Sequence, residues 1–101
     1  MMQVNNYQEV KTFPLKFHLY QNYPNPFKRN TIIRYSVPYK TKVRILVTDS
    51  SGNIVDKLVS EEHVPGIYDI NFNCEDLTEG IYFYQLIAGN GFEIKSMMLT
   101  K

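Results

Sequence analysis

Short apolar runs separated by turn residues begin at residue 31 and continue to residue 100. Thr31–Val37 (TIIRYSV) stops at Pro38. In Lys42–Thr48, Val43, Ile45 and Val47 fall on one face of a strand, because side chains alternate along an extended chain. The segment from Asp49 to Asn53 reads as a tight turn in which Gly52 supplies a positive φ. Ile54–Ser60 follows, then a Glu61-Glu62-His63 loop and a Pro65-Gly66 turn. Ile67–Asn73 places Tyr68, Ile70 and Phe72 on one face, and Asp76–Gly80 is another turn. Ile81–Ala88 is apolar at nearly every position, as suits a strand covered on both faces or lying in the middle of a sheet. Gly89-Asn90-Gly91 closes a hairpin into Phe92–Thr100. No segment sustains a helical apolar period. Six runs with a candidate seventh at Phe17–Leu19, punctuated by Gly and Pro, predict an all-β chain. The expected arrangement is an immunoglobulin-like antiparallel β-sandwich of about seven strands.

Ahead of the first long run lies an aromatic, proline-rich lead-in, Leu19-Tyr20-Gln21-Asn22-Tyr23-Pro24-Asn25-Pro26-Phe27. Pro24 and Pro26 fix φ, remove backbone donors and push Tyr23 and Asn25 toward extended geometry. The expectation is that Tyr23 and Phe27 pack mainly on the domain's own core, with the prolines fixing the bend. Residues 1–16 are polar and aperiodic apart from Phe13-Pro14-Leu15, and read as a linker ahead of a domain at 17–101. Near the other end, Gly80 stands two residues before Tyr82, with Tyr84 on the same face. This spacing matches a tyrosine corner, in which a strand tyrosine bonds back to the chain leading into it. Tyr84 then points into the core.

Composition narrows the function. Eleven basic and ten acidic residues are interspersed, for a net charge of +1, which leaves no electrostatic footprint for nucleic acid. No run approaches the roughly 20 apolar residues that span a bilayer, and no signal peptide is visible at the N-terminus. Cys74 is alone, so it reads as a small buried apolar residue. His18 and His63 have no metal-ligand spacing, and the Glu75, Asp76 and Glu79 cluster lacks the loop pattern of a calcium site. No nucleophile elbow and no phosphate-binding glycine loop are present. The residues therefore point to a binding or structural module without cofactor, metal or small-molecule substrate. Fourteen percent of the chain is aromatic, which keeps a carbohydrate-binding module open.

Four ordered blocks resemble a known family. Leu19 and Gln21-Asn22-Tyr23-Pro24-Asn25-Pro26-Phe27, followed by Thr31, Ile33, Tyr35, Val37 and Pro38, form the first. Val43, Ile45, Val47, Asp49, Gly52 and Val55 form the second. The third comprises Gly66, then Leu77, Gly80, Ile81, Tyr82, Phe83, Tyr84, Leu86, Ala88 and Gly89. Lys95, Met97, Met98, Leu99 and Lys101 close the fourth. Together they resemble the type A C-terminal sorting domains of the type IX secretion system. Lys28-Arg29-Asn30, Phe72-Asn73 and Ser96 depart from that family's commoner residues. The resemblance implies a non-catalytic, immunoglobulin-like secretion signal of Bacteroidota. It implies cargo attached on the N-terminal side, periplasmic transit after signal-peptide export, and recognition by an outer-membrane translocon. It further implies removal by a sortase-like peptidase, with the cargo then secreted or held at the cell surface. On this reading Gly89, Lys95, Met97, Met98, Leu99 and Lys101 carry recognition, and Gln21–Phe27 opens the folded domain. Gly52, Gly66, Gly80 and Tyr82 are structural. Phe92–Lys101 is expected to be an exposed edge strand, open to strand addition by a partner or to a strand-exchanged homodimer. An accessory immunoglobulin-like or carbohydrate-binding module of a larger secreted enzyme is the alternative.

Overall fold

The computed structural model describes residues 15–101; most of the expected linker lies outside the described residues. The chain forms β1 (His18–Leu19), β2 (Asn30–Val37), β3 (Thr41–Asp49), β4 (Ile54–His63), β5 (Gly66–Asn73), β6 (Gly80–Ala88) and β7 (Gly91–Leu99). All neighbouring strands pair antiparallel. They build two sheets, β1-β2-β5 and β4-β3-β6-β7. The seven-stranded β-sandwich expected from the alternation is the one observed.

The core lies between the inner faces of the two sheets, where the period-two pattern put it. Ile33, Tyr35 and Val37 from β2 face Val43, Ile45 and Val47 from β3, and Tyr84, Leu86 and Ala88 from β6; all are fully or almost fully buried. Leu19, Phe27, Val59, Phe72, Cys74, Tyr82, Met97 and Leu99 complete it. The dense apolar run of β6 is explained by position. It sits between β3 and β7, with Tyr82, Tyr84, Leu86 and Ala88 inward and Phe83 and Ile87 half-buried on the outer face.

Two local expectations are corrected. Glu61–His63 is the end of β4 and not a loop. Pairing with β3 carries the strand on to Thr41–His63, across register shifts after Ile45 and after Val47. His63 is drawn in because its ring stacks on Tyr35 (centroids 5.8 Å) and lies 4.3 Å from the Tyr68 ring. Its Nε2 is 2.8 Å from the Tyr35 hydroxyl. Gly66, expected as a turn glycine, is instead the first residue of β5, paired with Val37, and has no positive φ. The other turn readings stand. Gly52 has φ +90° in a turn whose Asp49 carboxylate accepts from the Ser51 and Asn53 N–H groups, both at 2.9 Å.

Candidate functional site

The residues singled out at the two ends of the domain meet in space. The lead-in starts as β1, beside β2 at the edge of the first sheet, where Tyr23 also exchanges two backbone bonds with Ile32 (3.0 and 2.9 Å). It then crosses to the second sheet and lies along the edge of β7. Phe27 N–H donates to the Met98 carbonyl at 3.0 Å, and Thr100 N–H donates to the Phe27 carbonyl at 2.8 Å. The Asn25 side-chain oxygen accepts from Met98 N–H at 2.9 Å, and the Gln21 amide donates to the Ser96 carbonyl at 2.8 Å. Glu93 accepts the Leu19 N–H at 2.8 Å. The polar residues of the lead-in thus take up edge groups that β7 would otherwise leave unpaired.

This corrects the expectation of a fully exposed final strand. From Ser96 to Thr100 the β7 edge is clasped, and the Ser96, Met98 and Thr100 bonds show that even-numbered residues of β7 direct their backbone groups outward. Alternation then aims the N–H and C=O of Phe92 and Ile94 outward too. Among the described residues no hydrogen bond reaches them.

Phe27 is buried, with its ring 6.2 Å from that of Phe72. Tyr23 is not: it is 81% exposed, against the expectation that both rings would pack inward. Its bridge to Ile32 puts it on the outer face, and Ile32 is itself exposed. Tyr23, Tyr20, Gln21, Ile32, Arg34 and Asp69 line a shallow groove. The Arg34 guanidinium donates to both Asp69 oxygens, at 2.7 and 3.0 Å, and holds that carboxyl below its ordinary range. The peptide bonds before Pro24 and Pro26 are both cis. Asn22 is buried, and its side-chain amide donates to the Thr31 hydroxyl (3.0 Å) and the Pro24 carbonyl (3.1 Å).

The closing block divides by face. Met97 and Leu99 are in the core, while Met98 is exposed on the outer face beside Ile81. Lys95 is half-buried opposite Tyr84, and Lys101 is exposed, with its N–H bonded to the Glu79 carboxylate at 2.9 Å. A recognition role for Met97 and Leu99 therefore cannot be direct in the folded domain. Gly89 has φ +54° in the β6–β7 turn, and a Cβ there would lie 2.6 Å from the Tyr39 hydroxyl. Its immediate role is conformational. Sequence reasoning missed Gly91, where a Cβ would meet the Phe17 ring at 2.7 Å, because nothing local links residues so far apart.

The tyrosine corner is present. The Tyr82 hydroxyl donates to the Thr78 carbonyl at 2.6 Å. Tyr84 is fully buried; its hydroxyl accepts from Asn22 N–H and donates to the Tyr20 carbonyl, both at 2.7 Å. Burial pushes this phenol up to about 12. One core tyrosine on β6 thereby anchors the lead-in from inside, while β7 holds it from the edge. Cys74 is buried with its thiol 3.0 Å from the Arg29 carbonyl, and burial pushes the thiol up. Among the described residues, no group of three or more His, Cys, Asp and Glu side chains is placed to hold a metal ion.

Comparison with curated proteins and with solved structures finds no match. A family model described as the secretion system C-terminal sorting domain matches residues 21–100. The matched region begins at Gln21, in the segment that clasps β7, and ends at Thr100, whose N–H closes that clasp on Phe27. It covers most of the chain, and the chain belongs to the C-terminal sorting domains of the type IX secretion system.

Proposed function

We infer that this domain is a folded export address, recognised at the outer membrane by the type IX translocon and carrying no catalysis of its own. Cargo attached on its N-terminal side passes through the periplasm with it. Export ends with removal of the domain by a sortase-like peptidase, and the cargo is released or retained at the surface. The observation that carries this reading is the split of the closing block into core and surface. Met97 and Leu99 hold β7 in the sandwich, and this presents Met98, Phe92 and Ile94 as an apolar outer stripe. Lys95 and Lys101 are the nearby cations. A receptor reading such a stripe reads a folded domain, not a linear peptide. The tyrosine corner and the sheet order support the immunoglobulin-like arrangement.

The test fuses residues 17–101 to a periplasmic reporter in a type IX-competent bacterium and follows the reporter to the medium or surface. Retention in the periplasm by a stably folded fusion contradicts the reading. Deleting residues 92–101 is a poor control, because it removes the core side chains of Met97 and Leu99. Phe92→Glu is a better one, since Phe92 is 59% exposed and folding does not depend on it.

The groove at Tyr23 favours one second reading, a glycan-binding module. An exposed ring beside a planar Arg34–Asp69 pair offers stacking and paired polar contacts together. Binding on a glycan array that Tyr23→Ala abolishes would establish it, and a blank array would exclude it.

A further inference from the structure

We propose that the unclasped part of β7 docks edge to edge on the same strand of a second copy, antiparallel, with Ile94 opposite Ile94 of the other copy. The docking joins two four-stranded sheets into one continuous sheet without exchanging any strand. It rests on the fold and is independent of the secretion reading.

The free window fixes the geometry. Even-numbered residues of β7 aim their backbone groups outward. Gly91 begins the strand at the hairpin, and Asn25 and Phe27 take up Met98 and Thr100. What remains open is Phe92 to Ser96, whose centre is Ile94. Within it, only the Ser96 carbonyl is engaged, by the Gln21 side-chain amide, which also donates to the Asn22 side-chain oxygen at 2.8 Å and must swing aside for the pairing. An antiparallel pair centred on Ile94 uses all of this window and nothing beyond it.

Charge then selects the register. With Ile94 opposite Ile94, Glu93 of each copy faces Lys95 of the other. These are non-hydrogen-bonded positions, where facing side chains come closest. Moving the centre one residue toward the hairpin sets Glu93 against Glu93. Moving it one residue the other way sets Lys95 against Lys95. Both slips keep outward-facing backbone groups opposed but put like charges face to face. A slip of two residues toward the C-terminus runs into the clasp at Met98. Glu93 Oε1 accepts the Leu19 N–H and lies 3.8 Å from His18 Nδ1, which leaves the second carboxylate oxygen for the partner strand; the side chain is 35% exposed. Lys95 has no ion-pair partner among the described residues. On the outer face the pairing sets Ile94 on Ile94 and extends the apolar stripe across both copies. The other edge of this sheet is less suited to the same use. It is β4, bent by two register shifts and carrying Asp56, Lys57, Glu61 and Glu62.

The full chain is examined by sedimentation at concentrations up to about 1 mM. Wild type is expected to show a reversible monomer–dimer equilibrium. Lys95→Glu and Glu93→Lys are each expected to be monomeric, because each sets like charges across the two-fold. Mixed in equal amounts they are expected to form a heterodimer, since all four facing positions are then complementary. Ile94→Pro removes one outward N–H and none that bonds to β6, so it is expected to be monomeric with an unchanged melting temperature. A wild type that stays monomeric throughout overturns the proposal. So does a mixture of the two folded charge variants that fails to pair. A dimer that survives Ile94→Pro also overturns it and points instead to strand exchange or to association through the outer apolar face.

Discussion

Tyr84 shows what a single side chain contributes here. Its ring fills the core, and its hydroxyl serves two backbone groups of the lead-in, at positions 62 and 64 residues away. Tyr84→Phe keeps the ring but leaves a buried N–H at Asn22 without a partner. The expected cost is about 2–3 kcal/mol in urea unfolding, more than for an exposed hydrogen bond. Tyr82→Phe loses one partly exposed corner bond and is expected to cost about 1 kcal/mol. The buried phenols also set an alkaline limit. Burial raises Tyr84 and Tyr35 from 10.0 to about 12 in the folded chain. The unfolded chain therefore ionises first as pH rises. The stability they contribute is complete below pH 10 and is lost as pH climbs toward 12. Urea midpoints measured across that interval should fall steeply in wild type and less steeply in Tyr84→Phe. The inward direction of Tyr84 was legible, because it lies in phase with Tyr82, Leu86 and Ala88. The partners of its hydroxyl were not, because no local pattern ties residue 84 to residues 20 and 22.

At the scale of elements, the lead-in acts as a strap that joins the two sheets along one side. Phe27 is its apolar anchor, and Gln21, Asn25 and the Phe27 backbone are its polar contacts to β7. Phe27→Ala should cost about 3–5 kcal/mol, the usual penalty for emptying a buried phenylalanine site. Asn25→Ala should cost about 1 kcal/mol. Its more specific signature is faster amide hydrogen exchange at Met98, with Leu99 protection unchanged, because only the Met98 N–H is turned toward Asn25. An unaltered Met98 exchange rate would show that the side chain does not cap the edge. The main strands were legible because alternation with one buried face fixes both type and direction. The strap was legible only in part. Its rings and prolines announced a packed, extended segment, but an aperiodic stretch does not encode which side each ring faces. Phe27 therefore turned in as expected, whereas Tyr23, bridged to Ile32 on the outer face, did not. The end of β4 was obscured for a related reason: Ser60-Glu61-Glu62-His63 is polar, and it is strand only because β3 and the Tyr35–Tyr68 rings hold it there.

For the whole molecule, the question is whether export reads a peptide or a folded surface, and adjacent methionines of β7 separate the two. Met97 is 1% exposed and Met98 is 41% exposed, yet they are neighbours in sequence and chemically identical. Met97→Ala should destabilise the domain by about 2–5 kcal/mol, and any loss of reporter export should be recovered at lower growth temperature. Met98→Glu changes an outward side chain, so stability should stay within about 0.5 kcal/mol of wild type. If the translocon docks on the outer face of the β4-β3-β6-β7 sheet, Met98→Glu should still stop export at every temperature. The two variants then have opposite profiles: one unstable with conditional export, the other stable and retained. A linear-peptide signal predicts no such split, because the fold would not distinguish the two positions. Thermal melting of the purified domains beside fractionation of the reporter strain measures both axes. Equal export of Met98→Glu and wild type would move the recognition surface off the apolar outer stripe of β7, to Lys95 and Lys101 or to the groove at Tyr23.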